Sequence, residues 1–175
     1  VRSRGGYIAP LRHERPAEPP RSAGTMSRGV ADALRSPVAV TGLPMRVVAT
    51  PFKGQERSAR VILAVEVDGS QLDFVQKDDV HAGALEVSYF ATDMHNRFFP
   101  GQTQKARLAL KADTYQQVMS SGLRMLLETD LPAGRYQVRV AAGNLGTKTG
   151  SVVYDIDVPD FRKTAFVLSG VAIGS

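Results

Sequence analysis

An all-β fold, built as an antiparallel β-sandwich over residues 43–175, is the fold class that the sequence predicts. Three observations lead to this prediction. After Pro44 apolar and polar residues alternate with a period of two, turn pairs such as Asp68-Gly69 separate the alternating stretches, and no long helical pattern lies between them. Half-buried antiparallel strands show this alternation, whereas a parallel sheet needs helical crossovers between its strands.

The residues before this body divide into two segments. Residues 1–9 alternate and are interpreted as the last strand of a preceding domain. Residues 10–42 are rich in Pro and Arg and form a linker in this interpretation, because proline removes backbone donors and the segment has little apolar surface to bury. The predicted order is therefore a strand remnant, a linker and a sandwich.

A short helix is expected within the linker, at about residues 26–35. Thr25 or Ser27 can cap its start, and a proline follows its end. One face carries the apolar residues Met26, Val30 and Leu34. A helix of about ten residues is marginally stable alone, so we expect it to pack on another part of the protein.

About seven strands follow. The side chains expected to face the core are Val61, Leu63, Val65, Val67, Leu85, Val87, Tyr89, Ala91, Ala106, Leu108, Leu110, Leu123, Met125, Leu127, Tyr136, Val138, Val140, Val152, Tyr154, Ile156 and Val158. Their neighbours in sequence, among them Glu66, Glu86 and Ser88, are expected on the outer faces. Residues 114–120 lack the alternation and predict a helical turn between two strands.

Tyr136 favours an immunoglobulin- or fibronectin-III-like version of the sandwich. It follows the turn Leu131-Pro-Ala-Gly-Arg-Tyr136 and begins an alternating strand. In such sandwiches a Tyr early in one strand donates its hydroxyl hydrogen to nearby backbone, an arrangement called the tyrosine corner. A tyrosine on the core face without this role is the alternative.

Charge is concentrated at the N-terminus, which weakens a nucleic-acid interpretation of the net charge of +5. Residues 1–37 hold seven Arg against three acids, for a net charge of +4, and the remainder is close to neutral. Arg124, Arg135 and Arg139 are candidates for an interaction surface, but exposed aromatics do not accompany them, so we expect no nucleic-acid binding. The longest apolar runs are far shorter than the roughly 18–20 residues of a membrane span, so we expect no membrane insertion.

Residues that bind metals or perform catalysis do not show a recognisable spacing. The chain has no Cys, and His13, His81 and His95 lie far apart in sequence. A Gly-x-Ser-x-Gly elbow and a P-loop ending are both absent. A weak cation site is left open among Asp68, Asp73, Asp78 and Asp79, although turn formation explains these residues equally well. We therefore expect a protein that is not an enzyme and that has no cofactor.

An aromatic turn at Phe98-Phe99-Pro100-Gly101 is the other candidate site. It either covers the end of the core or protrudes as a contact for a partner. Sugar-binding sandwiches use exposed aromatics, which keeps a carbohydrate-binding module as an alternative function. The candidates for that role are Tyr89, Phe90, Phe98, Phe99 and Tyr115.

Several stretches resemble the C-terminal region of bacterial VWFA-related exported proteins, the part that follows a von Willebrand factor type A-like domain. These stretches are Val-Arg-Ser-Arg-Gly-Gly-Tyr-Ile-Ala-Pro at 1–10, Gly42-Leu-Pro-Met-Arg-Val, Leu131-Pro-Ala-Gly-Arg-Tyr-Gln-Val-Arg-Val140, Tyr154-Asp-Ile-Asp-Val-Pro-Asp-Phe161 and Phe166-Val-Leu-Ser-Gly170. The Asp-x-Ser-x-Ser metal motif of the type A domain is not matched by Asp68-Gly69-Ser70-Gln71. No metal-binding residue is therefore carried over to this chain.

The resemblance implies an extracellular, periplasmic or cell-surface protein, with the type A-like domain upstream of Val1 as a partner in cis. The initial Val is expected to mark a fragment or a mature product. The expected function is that of a non-catalytic accessory or adhesion-type module, which contacts that domain and other surface or extracellular proteins. A chain without Cys fits export, because a sandwich of about 130 residues buries enough surface without disulfides.

Overall fold

The computed structural model describes residues 26–55, 57–144 and 148–163. The predicted strand remnant at 1–9, the Pro-rich part of the linker and the stretch 166–170 lie outside the described residues. Within them, the all-β prediction is confirmed, since antiparallel sheets make up most of the fold. The described residues contain no helix with the length and apolar character needed to cross a bilayer.

Two α-helices and nine strands form in the described residues. In chain order they are α1 (Arg28–Arg35), β1 (Met45–Lys53), β2 (Ser58–Val67), a 3₁₀ turn (Gly69–Gln71), β3 (Phe74–Lys77), β4 (Val80–Asp93), β5 (Phe98–Phe99), β6 (Thr103–Leu110), α2 (Ala112–Ser121), β7 (Leu123–Pro132), β8 (Gly134–Asn144) and β9 (Thr149–Val158). The helical turn predicted at 114–120 is the centre of α2.

The strands form two sheets. The first has three strands in the order β1-β2-β7, and its register places Val47 beside Val65 and Leu63 beside Leu127. The second has the path β3-β4-β8-β9, with β5 and β6 paired to β4. Because β4 is fourteen residues long, it pairs with β6 over its first part and with β8 over its second part. Strand β4 is thus the centre of the second sheet.

The core lies between the two sheets, where the sequence pattern places it. On β2, Val61, Leu63 and Val65 are fully buried, and the opposite wall carries Val87 and Val138, also fully buried. β-Branched side chains such as Val fit the pleated surface of a strand well, which explains their frequency here. The alternation in the sequence therefore identifies the inner faces correctly.

Helix α1 packs on the outer face of the second sheet. Val30 is fully buried, and it joins Ala33, Leu34 and Ala141 of β8 in a second apolar cluster. The helix that the sequence placed in the linker is thus attached to the sandwich, as its length required.

The segment between α1 and β1 is attached as well. Ser151 N donates to Val40 O at 2.8 Å, and Leu43 N donates to Thr149 O at 2.9 Å. These hydrogen bonds extend the edge of β9 along residues 40–43. The predicted division at residue 43 therefore falls inside a continuous packed region, and the packed body reaches back to the start of α1.

Candidate interaction surface

The aromatic pair lies at the tip of the β4–β5 hairpin, which the carboxylate of Asp93 organises. Asp93 Oδ1 accepts hydrogen bonds from the backbone N–H groups of His95 and Arg97 at 2.8 and 2.9 Å, and Oδ2 accepts one from Arg97 Nε at 2.6 Å. Burial raises the pKa of Asp93, but the hydrogen bonds from Arg97 and His95 outweigh it and hold the pKa below its ordinary value. The carboxylate that accepts these hydrogen bonds is therefore ionised at neutral pH.

Phe98 and Phe99 point to opposite sides of β5. The half-buried Phe99 packs edge-on against Tyr136, with 5.1 Å between the ring centroids, and closes that end of the core. Phe98 is 62% exposed, and its ring centroid lies 5.3 Å from that of Phe90. The two interpretations of this turn thus separate by residue: Phe99 covers the core, and Phe98 is available for contact.

Phe90 connects the hairpin tip with helix α1. It is half-buried and packs against the cluster that contains Val30 and Leu34. Met94, in the hairpin turn, is 73% exposed. We call Phe90, Met94 and Phe98 the aromatic tip. It continues the apolar surface of the α1 cluster to the end of the hairpin.

The three candidate arginines do not form one patch. Arg124 lies on β7, on the outer face of the first sheet, where its Nη2 is 3.1 Å from Glu66 Oε2. Arg135 lies on the second sheet, is exposed, and has its Nε 3.7 Å from Asp157 Oδ2. Arg139 Nη1 donates to Ser36 O at 2.8 Å, just beyond the end of α1. Arg135 and Arg139 both lie on β8, as the sequence pattern placed them, whereas Arg124 lies on the other sheet, whose outer face points in the opposite direction.

Tyr136 makes the hydrogen bond that defines a tyrosine corner. Its hydroxyl donates to Pro132 O at 2.9 Å, four residues earlier in the chain. The ring is buried, and burial raises the pKa of its hydroxyl. The bond ties the β7–β8 turn to the core face of β8.

The acidic residues of the proposed cation site have separate tasks. Asp68 Oδ1 accepts from Ser70 N at 2.9 Å and caps the 3₁₀ turn, while Asp73 Oδ2 accepts from Asn144 Nδ2 at 2.6 Å. Asp78 takes a positive φ of 52° in the β3–β4 turn, and the adjacent Asp79 is exposed. Among the residues that the structure describes, no three His, Cys, Asp or Glu side chains converge in a metal-binding group.

The histidines that the sequence singled out lie apart as well. His81, near the start of β4, stacks on Tyr115 with ring centroids 3.8 Å apart. His95 follows the end of the same strand and is exposed. The twelve residue steps from His81 to Asp93 span about 40 Å in an extended strand. The structure does not bring His81, His95 and an acid together; His13 lies outside the described residues.

Glu86 is a residue of chemical interest that lies on a covered face of β4, against the expectation from the alternating pattern. It was expected on a solvated face, yet it is fully buried beneath the start of α1. Its Oε1 accepts from Ser27 N at 2.7 Å, and its Oε2 lies 3.6 Å from Lys105 Nζ. Ser27 is the N-cap residue of α1 but makes no side-chain capping bond, so Glu86 supplies an acceptor at this helix end instead.

Comparison with known proteins adds little to this geometry. No family model and no curated protein matches the chain. Among solved structures, the X-ray structure of Northeast Structural Genomics Consortium target SoR45 aligns with it at 9% identity and a TM-score of 0.35, covering 77% of this chain and 98% of that one. A TM-score this low carries no argument about fold or function.

Proposed function

We propose that this chain is a non-catalytic accessory module, an immunoglobulin-like sandwich that makes protein contacts within an exported bacterial protein of the VWFA-related kind. The observation that carries the contact role is the aromatic tip, where Phe98 is exposed on a hairpin whose turn is fixed by Asp93. Aromatic and Met side chains are enriched at protein interfaces. A rigid hairpin presents them with little entropy left to lose on binding.

The proposed partner is the type A-like domain that the resemblance places upstream of Val1, or another surface or extracellular protein. The location outside the cell rests on the same resemblance. The immunoglobulin-like assignment is supported by the hydrogen bond from Tyr136 to Pro132 and by the two packed antiparallel sheets.

A carbohydrate-binding module is the second candidate. The exposure of Phe98 favours it, because a sugar ring stacks on an accessible aromatic face. Phe98 is the aromatic side chain of the described residues with a large exposed fraction, whereas Tyr89 is buried and Phe90 and Phe99 are half-buried. One exposed ring is a small platform, so protein contact is the primary proposal.

Photo-crosslinking at position 98 tests the proposal. The full-length protein that contains this chain is produced with a benzophenone amino acid at Phe98 and, as a control, at Val75, which is 71% exposed on β3 of the same sheet. Crosslinks from position 98 to the preceding domain or to another exported protein, absent from position 75, support protein contact. Equal crosslinking from both positions overturns it. Retardation in polysaccharide gels that Phe98→Ser abolishes favours the carbohydrate-binding candidate.

A further inference from the structure

The outward face of the first sheet, which we call the open face, carries four rows of side chains across its three strands. Read from β1 through β2 to β7, the rows are Arg46–Glu66–Arg124, Val48–Ala64–Leu126, Thr50–Ile62–Glu128 and Phe52–Arg60–Asp130. Neither helix in the described residues packs on this face. Val48 is 47% exposed and Leu126 is 62% exposed. The open face thus has an apolar centre in contact with solvent.

Charges of opposite sign occupy the two ends of the open face. At one end Glu66 Oε2 lies 2.9 Å from Arg46 Nη2 and 3.1 Å from Arg124 Nη2, so two guanidinium groups meet one carboxylate there. Hydrogen bonding from Arg46 lowers the pKa of Glu66 against the opposing effect of burial, and Arg124 adds to the lowering. Glu66 is therefore ionised at neutral pH.

The other end has one net negative charge. Arg60 Nε lies 3.5 Å from Asp130 Oδ1, and its Nη1 lies 3.7 Å from Glu128 Oε2, so one cation is shared by two carboxylates. Along β2 and along β7 the sign of the charge reverses from one end of the strand to the other. Strand β2 has the negative Glu66 at one end and the positive Arg60 at the other, and β7 has the positive Arg124 at one end and the negative Asp130 at the other.

From this antisymmetric pattern we infer that the open face is a self-association surface, on which a second copy of the chain packs face to face. The two copies are related by a two-fold axis that lies in the plane of the interface and runs perpendicular to the strands. This operation reverses each strand and keeps the strand order. It places Arg124 opposite Asp130 of the second copy, Glu66 opposite Arg60 of the second copy, and the row Val48–Ala64–Leu126 opposite the row Thr50–Ile62–Glu128 of the second copy. An axis parallel to the strands would instead oppose like charges.

Isologous interfaces require this kind of self-complementarity, because each patch must recognise itself. The size of the face limits the strength of the contact. Three strands at about 4.8 Å spacing and seven residues at about 3.3 Å give roughly 300 Å² of flat area per copy. The accessible surface buried in such a contact is near the lower boundary of about 1,000 Å² for specific interfaces. We therefore expect weak dimers, formed at concentrations of roughly 10–100 µM and above.

Sedimentation equilibrium of the full 175-residue chain, from about 5 µM to about 1 mM, measures the dimer directly. Leu126→Glu introduces a charge at the apolar centre and is expected to weaken dimerisation at least about tenfold. Val75→Glu is the matched control: it also replaces an exposed apolar strand residue, but on the second sheet. It is expected to leave the dimer unchanged. Circular dichroism verifies that each variant is folded.

A mixing experiment tests the predicted axis. In a dimer of the Arg124→Asp variant, the new Asp lies opposite Asp130 of the second copy, and in a dimer of the Asp130→Arg variant the new Arg lies opposite Arg124. Because like charges then meet, each variant by itself should associate about tenfold more weakly than the wild type. An equimolar mixture of the two variants restores opposite charges at both contacts. The mixture should therefore form heterodimers at least about tenfold more readily than either variant forms homodimers, and high salt should reduce the difference.

Three results would overturn the inference: a wild-type chain that is monomeric at 1 mM in low salt, equal effects of Leu126→Glu and Val75→Glu, or a mixture that associates no better than its components. If the wild type is monomeric, Leu126→Cys provides a unique thiol, since the chain has no Cys. Slow maleimide labelling would then assign the face to another segment of the same chain, and rapid labelling would assign it to a different partner. The aromatic tip lies on the other sheet, so these results are independent of the crosslinking test at Phe98.

Discussion

Replacing Lys105 by Met is expected to destabilise the protein more than the partly exposed position of Lys105 indicates, because its ammonium group lies beside the buried carboxylate of Glu86. Glu86 is fully buried, and Lys105 Nζ is the cation 3.6 Å from its Oε2. Among the described residues this oxygen accepts no hydrogen bond. Without Lys105, the carboxylate therefore remains under α1 with its charge uncompensated on that side.

The expected cost follows from the geometry. At 3.6 Å and an effective dielectric constant of about 20, two unit charges attract by about 4–5 kcal/mol before desolvation is counted. Removing one partner of a buried pair costs about 3–5 kcal/mol. Because 29% of the Lys105 side chain is exposed, water reaches the site when the ammonium is gone, and the expected loss falls to about 2–3 kcal/mol.

Glu86→Gln distinguishes the ion pair with Lys105 from the hydrogen bond with Ser27 at the start of α1. Gln retains an oxygen that accepts from Ser27 N but loses the charge, so this variant should lose about 1–2 kcal/mol. In the double variant Glu86→Gln with Lys105→Met, no buried charge remains. The double variant should therefore be more stable than the sum of the two single losses predicts, by about 2 kcal/mol.

Urea unfolding followed by far-UV circular dichroism measures these free energies, with Lys77→Met on the exposed strand β3 as a control that should change stability by less than about 0.5 kcal/mol. Additive losses within about 0.5 kcal/mol would refute the reasoning, since they would show that Glu86 and Lys105 act independently. A loss from Lys105→Met no larger than that from Lys77→Met would refute it as well.

Three further predictions concern the elements around the site. Tyr136→Phe removes the hydroxyl bonded to Pro132 O and should lower the free energy of unfolding by about 1 kcal/mol in urea titrations. Leu34→Ala should cost about 2–4 kcal/mol and speed amide exchange in α1, unless the helix is not docked. Because the pKa of Asp93 is lowered, its contribution to the free energy of unfolding is complete above its unfolded pKa of about 4 and is lost as the pH falls through its lower folded pKa. The His95 amide, compared with its intrinsic exchange rate at the same pH, should therefore lose protection in acid and keep it at neutral pH.

Periodicity predicted the inner faces well and the outer faces poorly. The alternation in β2 and β8 identified buried residues correctly because a period of two follows directly from the geometry of a strand. The same alternation placed Glu86 and Ser88 in solvent, yet both are buried. A polar residue in an outward register is compatible with solvent and with a covering helix, and only the tertiary packing of α1 distinguishes the two. The apolar face of the short helix α1 is the sequence signal that this helix covers another part of the protein.

The candidate contacts show a similar limit. The sequence pattern predicts the aromatic pair Phe98 and Phe99, but which of the two rings is exposed depends on how the Asp93 turn orients β5. Arg124 is predicted near Arg135 and Arg139 because all three occupy outward positions on strands. In two sheets that pack face to face, the outward faces point in opposite directions. Which sheet a strand joins is decided by long-range packing, which local sequence patterns do not contain. For this reason Arg124 lies apart from Arg135 and Arg139, although all three residues lie on strands.

The two outer faces of the sandwich differ in a way that explains why only one of them is covered by the described part of the chain. On the second sheet, Ala141 is small enough for α1 to approach closely, and the Ser88 and Thr103 hydroxyls satisfy one another at 2.9 Å. On the first sheet, ion pairs stand at both ends of the open face and larger apolar side chains fill its centre. A helix packed there would have to desolvate those ion pairs without replacing their partners. In the proposed dimer Arg124 and Glu66 meet Asp130 and Arg60 of the second copy, so charges that disfavour a packed helix gain partners of opposite sign across the interface.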